Sequence, residues 1–176
     1  MNNIWHDISA ERISADDFIS VIEISKGSKK KYELDKETGL IKLDRVLYTS
    51  THYPANYGFI PRTFADDKDP LDVLVLFSPE IYPLTLCKVR PLGVVRMVDN
   101  GDIDDKIIGV LVNDPTSKDY HSVNDLPSHI FDEIMHFFKV YKQLENKKTA
   151  VKSLYDKDKA IEIIQKAIDD YKEIFS

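Results

Sequence analysis

Asp67-Lys68-Asp69-Pro70-Leu71-Asp72 places three carboxylates at positions i, i+2 and i+5 of a turn that leads into an apolar run. Two acids so spaced can bind a hard cation that prefers oxygen ligands, while the third acts on a bound water. A second window holds Asp99, Asp102, Asp104 and Asp105 around Asn100-Gly101, so Asp99 and Asp104 flank a tight turn and could face one another, with Lys106 one step further in. Like charges about 4 Å apart repel by about 1 kcal/mol in bulk water and about 4 kcal/mol at an effective dielectric of 20. Such clusters need cations, or they sit on solvated loops where Asp serves as a turn former. An EF-hand does not fit. Its loop needs Gly at the sixth position and Glu at the twelfth, and these are Asp72 and Ser78 counted from Asp67, or Asp104 and Val110 counted from Asp99.

The elements that must position these acids are strands first and helices after. Phe18 to Ile24 is apolar and β-rich; Lys29 to Leu34 and Leu40 to Leu47 flank the hairpin loop Asp35-Lys36-Glu37-Thr38-Gly39. Leu71 to Phe77 is a short buried run closed by Pro79, and Cys87 to Val98 and Lys106 to Val112 enclose the second aspartate window. From Ile130 to Leu144 the stripe Ile130, Ile134, Phe137, Tyr141, Leu144 follows the helical period, with Asp125 or Ser128 as cap and Pro127 near the first turn. A last helix from Asp158 to Phe175 carries Ile161, Ile164, Ile168, Tyr171 and Phe175 on one side. Short strands followed by helices predict an α+β, mainly β fold: a small barrel or curled antiparallel sheet with helices against it.

Residues two apart in a strand share a face, and by that rule several charges fall in the apolar register. Arg45 shares parity with Ile41, Leu43 and Leu47, Asp72 with Leu74 and Leu76, Asp99 with Val95 and Met97, and Asp104 and Lys106 with Ile108, Val110 and Val112. Glu23 follows Ile19 and Val21, and Lys31 shares a face with Glu33. Inward charges of both signs must pair, bind metal or line a wet pocket. Such a cavity suits a polyanion held jointly by metal ions and cationic side chains.

The 176 residues carry a net charge of −6, with 21 Asp and 9 Glu. The Asp excess points to turns, caps and ligands, since Asp is a poor former of solvated helix faces. An acidic pI near 5.4 disfavours non-specific binding to nucleic acid or to an anionic membrane. No apolar run reaches the ~20 residues of a membrane span, and Met1-Asn2-Asn3-Ile4-Trp5-His6-Asp7 lacks the features of a signal peptide. With Cys87 as the single cysteine, read as a buried core thiol, a reducing, cytoplasmic compartment and one domain over 1–176 are expected. No histidine pair has zinc spacing, and no Gly-rich phosphate loop or nucleophile elbow is present.

Several segments together resemble the soluble family I inorganic pyrophosphatases of prokaryotic type. They are Val21-Ile22-Glu23-Ile24, Lys31-Tyr32-Glu33-Leu34-Asp35, Asp44-Arg45, Tyr53-Pro54-Ala55-Asn56-Tyr57-Gly58-Phe59-Ile60-Pro61, the aspartate motif with Val73-Leu74-Val75, Arg90-Pro91-Leu92-Gly93 and His136-Phe137-Phe138-Lys139-Val140-Tyr141-Lys142. They stand in the family's order from about Phe18 to Phe175. The resemblance implies a five-stranded, OB-like barrel with helices packed against it, and Mg²⁺-dependent hydrolysis of pyrophosphate, with Mn²⁺ or another divalent ion as the alternative cofactor.

By the same resemblance Asp67, Asp72 and Asp104 hold the activating metal, Asp99 and Asp104 a further ion, and Glu23 an additional one. Asp69 is implied as the general base. Lys31, Arg45, Tyr57, Lys106, Tyr141 and Lys142 are implied as the phosphate-binding set, with Glu33 and Tyr53 lining the site. It also implies a homo-oligomer, commonly a homohexamer, with no nucleic-acid or membrane partner. Two departures stand out: Lys68, where the family usually has Gly or Ser, and Ser153-Leu154-Tyr155, where many relatives have Glu-Gly-Trp. The competing expectations are an OB-like module for single-stranded nucleic acid, and a metal or polyphosphate sensor whose catalysis Lys68 has blunted.

Overall fold

β-branched and aromatic runs punctuated by Gly, Pro and Asn set the order of the chain. The computed structural model describes residues 3–176; Met1 and Asn2, which belong to the stretch read above for a leader, lie outside them. The strands are β1 (Phe18–Ile24), β2 (Lys30–Leu34), β3 (Ile41–Val46), β4 (Asn56–Phe59), β5 (Asp72–Leu76), β6 (Leu86–Asp99), β7 (Asp102–Leu111) and β8 (Thr149–Asp156). Helix α1 (Ser128–Val140) precedes β8, and α2 (Lys157–Phe175) follows it.

The main sheet runs β1-β4-β5-β7-β6 and closes on itself because β6 also pairs with β1, Phe18 opposite Val89 and Val21 opposite Leu86. This ring is the expected five-stranded, OB-like barrel. All its pairings are antiparallel except β5 with β7, which sets Asp72 beside Lys106. β6 is long enough to serve three neighbours: its first half lies on β1, its second half on β8, and β7 follows almost its whole length. A bulge at Pro91–Gly93 marks the change of partner, as suits a proline that has no N–H for a regular ladder. At the β6–β7 turn Asn100 and Gly101 both have positive φ, 51° and 92°, the backbone a two-residue hairpin needs.

β5 is buried on both faces, which is why it reads as a continuous apolar run. Leu74 and Leu76 join Val95, Met97, Ile108 and Val110 in a core covered by Phe131, Ile134, Phe137 and Phe138 of α1. Val73 and Val75 join Ile22, Val94 and Ile107 in a second core covered by Ala160, Ile164 and Ile168 of α2. The parity reading therefore holds for β5, β6 and β7: one apolar face continues into Asp72, Asp99 and Lys106 at its end.

It does not hold for β3. Strands β2 and β3 form a separate two-stranded sheet, with a register shift at Lys31–Tyr32 that leaves Asp44 as an extra residue. The extra residue breaks the alternation between Leu43, which is 53% exposed, and Arg45, whereas Leu47 beyond the strand is buried in the core under α1. Asp99 and Asp104 also do not face one another. Asp102 is opposite Asp99 and Met97 is opposite Asp104, so the two acids are diagonal neighbours.

The helix boundaries differ as well. α1 ends at Val140, and Leu144 sits 64% exposed beyond it in a 3-10 turn, Gln143–Glu145. Pro127 occupies the N-cap, while Asp125 completes a capping box with Ser122 one turn earlier. β4 and β8 are the strands that periodicity misses: β4 is four residues long and buried throughout, and β8 is a half-exposed edge strand with no fully buried residue.

Gly58 is the tightest point of the ring. A Cβ there would stand 1.8 Å from the Val21 carbonyl oxygen, a backbone atom that cannot step aside without moving β1 from β4. Gly58→Ala is expected to lower the unfolding free energy by about 3 kcal/mol or more, read by urea denaturation.

Candidate functional site

The charged ends of β5, β6 and β7 open into a cavity of about 500 Å³. The β2–β3 hairpin forms one wall and the turn after α1 another. Glu23, Lys31, Glu33, Tyr53, Tyr57, Asp67, Asp69, Asp72, Asp99, Asp104, Lys106, Tyr141 and Lys142 all line it. Every residue that the resemblance implies for the site is thus brought to one place, with the exception of Arg45. Its guanidinium lies just behind the wall, with Nε 2.8 Å from Glu145 and Nη1 on Asp44. Asp35, Lys36, Glu37 and Lys42 line the cavity too and were missed. The signal was available in part, since Asp35 continues the face of Lys31 and Glu33, and Lys42 stands opposite Glu33 across the hairpin.

Lys106 is the hub. Its ammonium is 2.5 Å from Asp72, 2.7 Å from Asp104 and donates to the Tyr57 hydroxyl at 3.0 Å. Burial by itself would lower the Lys106 ammonium, but Asp104 and Asp72 outweigh burial and hold it charged well above its ordinary range. Asp72 is pushed up by burial, with Lys106 opposing the shift. Lys142 reaches Asp99 at 2.5 Å, and Lys31 lies 3.3 Å from Glu33 and 3.5 Å from Asp44. Burial also drives the Tyr53, Tyr57 and Tyr141 hydroxyls upward, so they remain neutral donors at the wall.

The acids differ by environment. Glu23 is buried, accepts the Leu34 N–H at 2.7 Å and is pushed up to about 8 by burial, with Asp72 adding to the shift. Asp67 is raised to about 6, again by burial first, although its carboxylate accepts the Asp69 N–H at 3.1 Å. Asp69 stands half exposed at the rim and is paired with Lys36 of the hairpin loop. Among the described residues no three candidate ligands already converge on one point, because lysines lie between the acids. The donor set nevertheless fits a hard divalent cation. It consists of carboxylate oxygens, and Asp99 Oδ1 is buried with no hydrogen-bond partner. Asp67, Asp72, Asp99, Asp104 and Glu23 are the side chains that could hold such ions.

The backbone at Lys68 is unusual. Its φ is 68°, in the left-handed region where a glycine is comfortable and a lysine is strained. Its N–H donates to the Ala65 carbonyl at 2.9 Å, closing the turn that aims Asp67 and Asp69. The side chain is exposed and does not line the cavity.

Barrel and cavity define the class: an OB-like barrel carrying acids and cations, intermingled, at its mouth. The inorganic pyrophosphatase family profile matches residues 20–172. Soluble inorganic pyrophosphatase 1 of Arabidopsis thaliana is 48% identical over 169 residues, 96% of this chain and 80% of the relative. The inorganic pyrophosphatase of Helicobacter pylori superposes with a TM-score of 0.90 at 43% identity, covering 95% of this chain and 99% of the other. That of Thermus thermophilus gives 0.89 at 37% identity, over 97% and 99%. The chain belongs to the family I inorganic pyrophosphatases.

Replacing Lys68 by Gly relieves the left-handed strain at the cost of some extra chain entropy. Lys68→Gly is expected to raise the unfolding free energy by up to about 1 kcal/mol, read by thermal denaturation.

Proposed function

We propose that this protein hydrolyses inorganic pyrophosphate to two orthophosphates with the help of divalent cations, Mg²⁺ first and Mn²⁺ as the alternative. The observation that carries this reading is the gathering of Glu23, Asp67, Asp69, Asp72, Asp99 and Asp104 with Lys31, Lys106 and Lys142 around one cavity. Pyrophosphate is a small, highly charged anion, and a site for it must supply positive charge without losing the carboxylates that organise water. The family to which the chain belongs supports the same substrate.

Bound divalent ions supply charge neutralisation of the phosphates and lower the pKa of a coordinated water. Asp67, Asp72, Asp99, Asp104 and Glu23 are the side chains to hold them. Asp69, at the rim beside this group, accepts the proton of the attacking water as the general base. Water adds to one phosphorus, the bridging P–O bond breaks, and the second phosphate leaves with the bridging oxygen. Lys31, Lys106 and Lys142 neutralise the phosphoryl oxygens, and Tyr53, Tyr57 and Tyr141, kept protonated by burial, donate to them. Glu33 keeps Lys31 in place at 3.3 Å. Arg45 joins the phosphate-binding set once its guanidinium turns from Glu145. The chain acts as one domain over 1–176, in the cytoplasm and as a homo-oligomer, a homohexamer by the resemblance, without nucleic-acid or membrane partners. Among the described residues no helix is long and apolar enough to cross a membrane. Against the sensor reading, Lys68 is exposed and does not line the cavity.

Phosphate release from pyrophosphate is the deciding measurement. Rapid release with Mg²⁺, abolished by chelation, is the expected result, and binding of pyrophosphate without turnover in either condition overturns the reading. Asp69→Asn is expected to lower kcat by about 10²- to 10⁴-fold with KM changing far less. Full turnover in that variant, with native-like circular dichroism, removes Asp69 from the base role.

A further inference from the structure

The Arg45–Glu145 pair is left half satisfied. Arg45 Nε stands 2.8 Å from Glu145 Oε1, and Nη1 meets Asp44. Arg45 Nε, Arg45 Nη2 and Glu145 Oε2 are all buried with no hydrogen-bond partner, so the contact with Glu145 is an ion pair that lacks hydrogen-bond geometry. The Glu145 side chain is 7% exposed and that of Arg45 is 18%. Guanidinium and carboxylate normally close as a fork, with two parallel hydrogen bonds. Arg96 and Asp105 do so, with contacts of 2.8 and 2.7 Å. Arg45 instead donates to Asp44 through Nη1 and meets Glu145 only as an ion pair, with its outer nitrogen idle.

The surroundings give that idle nitrogen a purpose. Arg45 lies opposite Lys31 across the hairpin, and Lys31 lines the cavity while sharing Asp44 with Arg45. Glu145 ends the short turn after α1, the same segment on which Lys142 reaches Asp99. One turn therefore delivers a cation to the cavity and an anion to the guanidinium just behind its wall.

We propose that Glu145 is a positioning residue that holds Arg45 behind the cavity wall in the free protein and yields it to a phosphate group when pyrophosphate binds. The inference rests on the pyrophosphate reading above. A phosphate offers several oxygens, so it can engage Nη1 and Nη2 together, which Glu145 does not. Holding Arg45 away reduces apparent affinity by the fraction of molecules with the arginine withdrawn. The same carboxylate takes the guanidinium back when phosphate leaves, which keeps the product from binding too tightly.

Glu145→Gln retains the shape and removes the charge. The expected result is a fall in KM for pyrophosphate of about three- to tenfold, with no rise in kcat. Calorimetry with inorganic phosphate and Mg²⁺ should show affinity rising by a similar factor. In an Arg45→Gln background the Glu145→Gln change should leave both quantities unmoved. An unchanged or raised KM overturns the proposal, as does an equal shift in the Arg45→Gln background, which would mean that Glu145 repels the anion directly. Glu145→Asp, which retracts the carboxylate by one methylene, serves if the glutamine variant does not fold and is expected to shift KM in the same direction. Absence of hydrolysis by the unaltered protein overturns the pyrophosphate reading instead, and the phosphate calorimetry then still reports whether Glu145 restrains Arg45.

Discussion

The ammonium of Lys106, buried between Asp72 and Asp104, is the interaction on which the rest of the site depends. It brings together the neighbouring parallel strands β5 and β7 at their charged ends and ties both to Tyr57 on β4. Two carboxylates this close in a buried setting repel strongly, and a lysine between them converts repulsion into a triad with one excess negative charge. That residual charge suits a site that must attract cations without collapsing when they leave. Removal of either sign of partner from a buried set like this one leaves a charge uncompensated, which costs about 3–5 kcal/mol.

Around that triad the chain adds walls of different stiffness. The barrel supplies Glu23, Asp72, Asp99, Asp104 and Lys106 on strands fixed by ladder hydrogen bonds and by two cores. The β2–β3 hairpin lies outside the barrel ladder and supplies Lys31, Glu33, Lys36 and Lys42. It is fastened to the motif turn by Lys36 on Asp69 and to β1 by the Leu34 N–H on Glu23. Surface pairs such as Lys36–Asp69 contribute little stability, typically below about 1 kcal/mol. Four of the candidate metal ligands, Glu23, Asp72, Asp99 and Asp104, thus sit on the rigid part, and several cations sit on the part held more loosely.

Much of this was legible in the sequence where one physical rule dominates. Strand alternation located the charged mouth on β5, β6 and β7, because an apolar face that runs into Asp72 or Lys106 must there meet water, a metal ion or an opposite charge. The Asn100-Gly101 turn declared itself through its backbone requirement. Where two rules compete, reading failed. Parity placed Arg45 inside the barrel, but the irregularity at Lys31–Tyr32 breaks parity, and no composition signal marks a bulge. β8 was invisible because an edge strand packs too little to need an apolar pattern. At Lys68 composition gives no hint of the left-handed backbone, φ 68°, that the turn imposes.

The closure of the ring by β1 on β6 has a consequence for how the chain reaches its native state. Phe18 must find Val89, and β5 must find β7 in parallel across the intervening β6, so the decisive contacts are distant in sequence. Topologies of this kind pay loop-closure entropy before their contacts reward it, and they fold slowly for their size. The candidate ligands are contributed by β1, the turn before β5, β5 itself, β6 and β7, so no partly assembled intermediate holds the set. For this chain, late folding and the birth of the site are one event, and a nascent chain released early carries none of its chemistry into the cell.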